Sequence, residues 1–449
     1  MRLFDTARGE VVPLELRDPG KVSMYVCGPT VYGPPHLGHG RFSLVFDVLR
    51  RYLEWSGYEV TYASNVTDVD DKIIAKAQAE GRTEPEVVAE FEAVWWAAMD
   101  TIGVKRPTFD PHATAYIGRM VEFIGELVDL GVAYETSDGV YLEAEKVEGY
   151  GLLARQPLES LRAGARVEGT DEKRSPVDFA LWKKAKPDEP SWPSPWGAGR
   201  PGWHTECVVM SLDLLGDDFD IHGGGHDLAF PHHENERAQA VASGHRFARH
   251  WVHNGFVEVD GEKMGKSLGN FTNLSDLTST VDPRAYRLLV LRSHYRKPIE
   301  ISRTSTADAS SALSRLDTFA RNTADLPAAE PDPAAIEAFR KAMDDDLNTP
   351  AVGSLIFELV KRANSLLAVE DDAGAAPLAA AVRTICGAVG LDIGTSLVEV
   401  PARVLAAARE RDEARANKDW KGADAIRNQL QADGWIVEDS ATGTTVRPA

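Results

Sequence analysis

The spacing of apolar positions changes several times along the chain, and each change marks an element. Val22, Met24 and Val26 recur at period two, the pattern of a strand. After a stretch rich in Gly and Pro (Gly28, Pro29, Gly33, Pro34, Pro35), Val45, Val48, Leu49 and Tyr52 return at helical spacing. Gly57 predicts the end of that helix, and Val60 and Tyr62 mark a second strand over Glu59–Ala63. A strand, a helix and a strand in this order form a βαβ unit, which implies a parallel sheet.

Residues 84–135 read as helical, with Val87, Val88, Phe91, Val94 and Trp95 at three- and four-residue spacing. From about 137 to 202 the pattern breaks into short strands and the Pro/Trp-rich loop Glu189–Trp196, an expected insertion into the α/β domain, which resumes near Gly202. After Ile301 the periodicity predicts helices over 307–322, 334–345, 350–368 and 376–390. Two more follow over 402–415 and 420–432, then a short β pair, Trp435–Glu438 with Thr444–Arg447. No repeat of 20–50 residues is present. The expected architecture is a Rossmann-type α/β catalytic domain over 1–302, a helical bundle over 303–398 and a small α+β domain over 399–449.

Composition narrows the class. A chain of 449 residues exceeds what one ordinary hydrophobic core serves. A hydrophobic content of 43% with 26% charged residues is that of a globular protein. No apolar run approaches the ~20 residues of a membrane span, and no secretory pattern follows Met1. A cytoplasmic protein with no membrane partner is expected. Cys27, Cys207 and Cys386 include no CxxC pair, which speaks for a reducing compartment rather than a disulfide framework. The net charge of −20 argues against non-specific nucleic-acid binding but leaves room for a local basic track.

Two short motifs carry phosphate chemistry. His36-Leu37-Gly38-His39 falls between the first strand and the helix, where free backbone amides and the helix dipole favour an anion. Lys263-Met264-Gly265-Lys266-Ser267 offers paired lysines, suited to a pyrophosphate leaving group whose charge grows in the transition state. It is not a P-loop: Walker A requires four residues between its glycines, and three separate Gly261 from Gly265. Together the two motifs resemble the HIGH and KMSKS signatures of class I aminoacyl-tRNA synthetases. Leu37 replaces Ile, and Gly265 replaces the first Ser of KMSKS, which touches the loop's closing equilibrium rather than its chemistry.

A third constellation holds soft and borderline ligands. Cys27 closes the first strand in Cys27-Gly28-Pro29-Thr30-Val31-Tyr32, and Cys207 ends Gly202-Trp203-His204-Thr205-Glu206-Cys207. His222-Gly223-Gly224-Gly225-His226-Asp227 and Phe230-Pro231-His232-His233-Glu234-Asn235-Glu236 follow. His232 and Glu236, four apart, share one face of a helix. Two thiolates, an imidazole and a carboxylate form a candidate four-ligand zinc set. The position four after His233 is Arg237, so the metalloprotease signature is absent. Cys386, in an apolar helix, reads as a small buried hydrophobe.

Taken together these segments resemble the cysteinyl-tRNA synthetase family over essentially the whole chain. The resemblance implies one Zn²⁺ per chain on Cys27, Cys207, His232 and Glu236, and an amino-acid pocket lined by Thr30, Tyr32, Trp203, His204, His222 and Asp227. It further implies ATP with Mg²⁺ handled by His36, His39, Lys263 and Lys266, and cysteine and tRNA-Cys as the other substrates. The C-terminal segment is similar to that family's anticodon-binding domain, with Arg415, Trp420, Asp424 and Asp439 as candidate tRNA contacts. A monomer is expected, as is common in the family. A metal is chemically apt, because a pocket judging shape alone separates near-isosteres such as cysteine and serine by only roughly 10- to 200-fold. Two other readings use the same core: a ligase joining cysteine to an amino-sugar, which needs no anticodon-binding domain, and an RNA-binding protein on a dead synthetase fold. The intact His36, His39, Lys266 and metal-ligating residues argue against the latter.

Overall fold

The computed structural model describes residues 1–449 except 165–171, 260–261, 264–271, 395–400, 441–442 and 449. The chain forms two compact units, Met1–Ala312 with Asp325–Leu391, and Leu313–Ala324 with Asp392–Ala449.

At the centre of the larger unit lies a parallel sheet in the order Ala248–Asn254, Phe219–Gly225, Lys21–Val26, Glu59–Ala63. Helix Leu37–Trp55 connects the last two of these, and helix Glu234–Ala242 connects the first two, so the chain leaves the two central strands in opposite directions. The crevice beyond the carboxyl ends of Lys21–Val26 and Phe219–Gly225 is therefore a topological switch point, where open α/β sheets bind ligands. The period-two pattern at Val22, Met24 and Val26 understates the burial: Ser23 and Tyr25 are buried as well. A central parallel strand is covered on both faces. Ser23 is satisfied there by Asp220, which accepts from its amide at 2.7 Å and its hydroxyl at 2.6 Å.

The expected helical span 84–135 is two helices, Glu84–Thr101 and Ile117–Asp129. Gly103, with φ +69°, together with Pro107 and Pro111, stops helical propagation between them. The inserted antiparallel sheet begins at Ala133, earlier than 137, and runs Ala133–Glu135, Gly139–Leu142, Phe179–Lys184, Gly199–Pro201. Buried Asp178 organises its turn, accepting from the Tyr134 hydroxyl and the amides of Ala144 and Ser175.

Further elements escaped the sequence reading. Arg2–Asp5 and Glu10–Pro13 form an N-terminal hairpin, and the amide of Thr6 beside it donates to Trp251 O at 2.9 Å. Helix Asp71–Glu80 is capped by Asp70, whose side chain accepts from the Lys72 amide. A small sheet joins Val257–Val259 in parallel to Ile299–Glu300 and antiparallel to Glu262–Lys263. Helices Pro333–Asp344, Thr349–Leu367 and Asp372–Ala388 follow, each started by a side-chain cap from Asp332, Asn348 or Asp371.

In the smaller unit, helices Ala402–Ala416 and Trp420–Ala432 pack with the hairpin Trp435–Ser440/Gly443–Pro448 around Val404, Leu430 and Val437. Among the described residues no helix is long and apolar enough to cross a membrane.

Candidate active site and metal centre

Cys27 stands one residue beyond the end of Lys21–Val26, and its neighbour Gly28 admits a close crossing of chains. A Cβ on Gly28 would lie 1.7 Å from Asn65 O. Asn65, 1% exposed, uses that approach: its Oδ1 accepts from the Gly28 amide at 2.9 Å and from the Cys207 thiol at 3.6 Å. Cys207 comes from helix Trp203–Leu215, which starts directly after the inserted sheet.

From the other side of the crevice, the turn Ala229–His233 and helix Glu234–Ala242 bring in His232 and Glu236. One ligand atom from each of Cys27, Cys207, His232 and Glu236 lies within 4.8 Å of all the others, and all four residues are buried. Glu236 is shared. Its Oε1 faces the Cys27 sulfur at 3.3 Å and His232 Nε2 at 3.0 Å, while its Oε2 is 2.8 Å from His222 Nε2.

A second overlapping group, Cys27, His222, His233 and Glu236, satisfies the same proximity. In it His233 Nε2 is buried without a hydrogen-bond partner, while its Nδ1 is engaged with His253 Nε2 at 2.8 Å and His253 Nδ1 with the Thr6 hydroxyl at 2.7 Å. The first group has two sulfurs and a carboxylate oriented from behind by His222, the arrangement in which an outer partner fixes a ligand.

The electrostatics fit a cation. Burial pushes the Cys27 thiol well above its usual range, and the neighbouring Cys207 and Glu236 push it further. Burial likewise raises the Cys207 thiol, with Glu236 adding to the shift. His232 Nε2 is buried without a hydrogen-bond partner. Two potential thiolates and a carboxylate packed together, with an imidazole nitrogen 3.0 Å from that carboxylate but outside hydrogen-bond geometry, suit a thiophilic dication.

The Trp203 ring stacks on His232, and His204 Nδ1 is 2.8 Å from His232 Nδ1. Burial lowers His204 to about 3, helped by Lys183, so its ring is neutral. The other expected pocket residues are less tightly gathered. The backbone of Thr30 bridges to Thr67, whose hydroxyl donates to buried Glu206 at 3.0 Å. Tyr32 presents its ring to Lys72 Nζ at 5.3 Å. Asp227 is exposed in the turn His226–Leu228 beyond the neighbouring strand.

His36 and His39 cap the helix that begins at Leu37: each ring Nδ1 accepts the other residue's amide, at 3.2 and 3.3 Å, and the rings stack at 3.7 Å. The backbone of Lys263 ends the strand Glu262–Lys263, whereas Gly265 and Lys266 lie outside the described residues. In the smaller unit Asp439 pairs with both Arg411 and Arg415, while Trp420 and Asp424 lie exposed one turn apart on their helix. Sequence reasoning missed Asn65, His233 and His253. His233 carried a signal in its place beside His232, but Asn65 and His253 had none in their own segments.

Comparisons with known proteins identify the family. Residues 13–311 match the family model of the tRNA synthetases class I (C) catalytic domain, 338–393 the DALR domain, and 397–447 the cysteinyl-tRNA ligase anticodon binding domain. The chain is 46% identical to a cysteine–tRNA ligase of Alkalilimnicola ehrlichii, over 96% of each chain. It is 44% identical to that of Pasteurella multocida, over 100% of this chain and 99% of the relative. Among solved structures it is similar in fold to the methionyl-tRNA synthetase of Mycobacterium tuberculosis in complex with methionyl-adenylate. The TM-score is 0.61 at 15% identity, covering 82% of this chain and 89% of that one. A LeuRS of Agrobacterium radiobacter in a ternary complex with tRNA gives 0.61 at 12% identity, covering 84% of each. By fold, by site and by full-length likeness, the chain belongs to the cysteinyl-tRNA synthetase family of class I aminoacyl-tRNA ligases.

Proposed function

We propose that this chain activates cysteine with ATP, giving cysteinyl-adenylate and pyrophosphate, and then transfers the cysteinyl group to the 3′-terminal ribose of tRNA-Cys. The observation that carries the reading is the convergence of Cys27, Cys207, His232 and Glu236 within 4.8 Å at the switch point. These four would hold one Zn²⁺. When bound, the ion supplies a Lewis acid that prefers a thiolate to a hydroxyl, and hence cysteine to serine. Were its Nε2 to hold the ion, His232 would carry its proton on Nδ1 and donate to the neutral His204 ring, which would lock the tautomer. Trp203, His204 and His222 flank the substrate side chain, with Thr30, Tyr32 and Asp227 completing the pocket.

In activation the cysteine carboxylate attacks the α-phosphate and the bond to pyrophosphate breaks. His36 and His39, at the helix N-terminus, hold the phosphates of ATP with its Mg²⁺. Lys263 and Lys266 stabilise the charge growing on the leaving pyrophosphate. The tRNA's terminal hydroxyl then attacks the adenylate carbonyl and AMP departs. Arg415, Trp420, Asp424 and Asp439 contact the tRNA. We assign these tasks to a catalytic domain over 1–302, a bundle over 303–398 and an anticodon domain over 399–449, in a cytoplasmic monomer.

The test is transfer of labelled cysteine into acid-precipitable RNA by purified protein with ATP, Mg²⁺ and bulk bacterial tRNA, with serine as control. Cysteine-specific charging is the expected result. Cysteine-dependent ATP–pyrophosphate exchange without charging would move the assignment to a small-molecule cysteine ligase.

A further inference from the structure

Arg41 lies two residues past the HLGH segment, and its side chain turns into the fold, 1% exposed. Its hydrogen bonds go to backbone carbonyls, and Glu258 adds a favourable charge at longer range. Nη1 donates to Gly255 O at 2.8 Å and to Phe256 O, and Nη2 donates to Tyr295 O at 3.2 Å and to Lys297 O. Burial lowers the guanidinium to about 10, which still leaves it a cation at neutral pH. A buried charge is costly unless its donors are satisfied. Four carbonyls on two chain segments satisfy the two Nη groups of Arg41, while its Nε–H is buried without a partner, and they do so only if both segments stay in one position relative to the helix.

Those segments lead somewhere specific. Gly255 and Phe256 run directly into strand Val257–Val259, and Tyr295 and Lys297 precede its parallel neighbour Ile299–Glu300. They are also bonded to each other, Gly255 N to Tyr295 O at 2.8 Å and Ile299 N to Phe256 O at 3.0 Å. Strand Val257–Val259 in turn carries Glu262–Lys263. On the far side of the lysine motif, Leu37 N donates to Thr272 O at 3.2 Å, and Leu274 N to Pro35 O at 2.8 Å. The chain is thus tied to the HLGH turn both before Lys263 and after Ser267.

We infer that Arg41 is a positioning residue for the pyrophosphate-forming step, setting the helix that bears His36 and His39 against strand Val257–Val259, which leads in sequence toward the lysine motif. The inference rests on the function proposed above. A guanidinium presents a planar fan of donors that spans four carbonyls, and an ammonium does not.

The test uses the full chain with Arg41→Lys and Arg41→Met. A third variant, Gly255→Ala, attacks the same cage from the opposite side, since its Cβ would lie 2.6 Å from Lys297 O and 2.7 Å from Arg296 O. Turnover in cysteine-dependent ATP–pyrophosphate exchange is expected to fall roughly 10- to 100-fold in Arg41→Met and Gly255→Ala, and less in Arg41→Lys. Bound metal and the KM for cysteine stay at wild-type values. Unchanged turnover in folded variants overturns the inference. So does a parallel loss of turnover, metal and cysteine affinity, or failure of all three variants to fold, because each assigns Arg41 to stability alone. Wild-type protein that shows no exchange with cysteine would instead overturn the proposed function.

Discussion

The Trp203 indole lies against the His232 imidazole, with ring centroids 3.9 Å apart and planes 24° from parallel. His232 is buried, whereas Trp203 is 37% exposed, so the stack joins the interior of the metal centre to its open side. The indole donates no ligand atom to the cluster. On the proposed function its part would be to fix the ring plane of His232 and to supply an apolar wall. Trp203→Ala is therefore expected to keep metal binding while raising the KM for cysteine up to about tenfold, the worth of one aromatic pair. Trp203→Phe should recover most of the loss. Metal stoichiometry measured beside exchange kinetics checks this, and loss of metal in Trp203→Ala would make the residue structural.

On the proposed function Cys207 bears on selectivity more directly. It is 1% exposed, and its sulfur rests near Asn65 Oδ1 at 3.6 Å. A serine there keeps the hydrogen bond but offers an oxygen that a dication deprotonates far less readily. Cys207→Ser should lower both bound zinc and the discrimination between cysteine and serine in exchange assays. A variant with full zinc and full selectivity would remove Cys207 from the ligand set.

Away from the site, a buried ion pair gives the larger unit an acid-sensitive anchor. Asp47 and Arg287 are almost fully enclosed, with Nη1 and Oδ2 at 2.7 Å, and Arg51 joins the same carboxylate. Burial alone would raise the Asp47 carboxyl, but Arg287 and Arg51 hold it below its usual value. A carboxyl depressed in the folded state contributes stability that is present above the unfolded value of about 4 and is lost as pH falls through the folded value. Denaturant unfolding should therefore show wild-type stability declining below about pH 5. Asp47→Asn should flatten that part of the slope while costing roughly 3–5 kcal/mol at pH 7, because Arg287 is left buried without its counter-charge. Parallel pH profiles for the two proteins would refute the assignment.

How much of this was legible beforehand depended on whether the signal was local. The βαβ unit was visible because Val45, Val48, Leu49 and Tyr52 keep helical spacing and Gly57 marks the stop. The four residues of the candidate metal centre stood in short motifs whose residue types are uncommon in company. Asn65 was invisible because its partners, Gly28 and Cys207, lie in distant segments and only the fold brings them to it. His253 is tied to His233 and Thr6 by the pairing of the edge strand, which no local pattern encodes. Helix Asp71–Glu80 was missed because it is a single short stretch with only Ile73, Ile74 and Ala77 buried, too little periodicity to rise above its surroundings. The cage around Arg41 likewise consists of carbonyls, and carbonyls have no signature in a sequence.

In the smaller unit the proposed tRNA contacts differ in how far the fold itself uses them. Asp439 accepts from Arg411 at 2.6 Å and pairs with Arg415, which ties the hairpin to the first helix, and Arg411 also reaches the Thr444 hydroxyl. Trp420 is different. It starts its helix at 60% exposure, and no packing within the unit accounts for so large an apolar surface left open. An exposed aromatic ring offers a face on which an unpaired base can stack, worth roughly 1–3 kcal/mol. Trp420→Ala should leave cysteine-dependent ATP–pyrophosphate exchange untouched and lower the efficiency of tRNA charging by about 5- to 150-fold, the same energy expressed as a ratio. Asp439→Ala should lower charging as well, but with earlier thermal unfolding of this unit. Charging at the wild-type rate in Trp420→Ala would remove the residue from the RNA contact and leave its exposure without a purpose in the reaction.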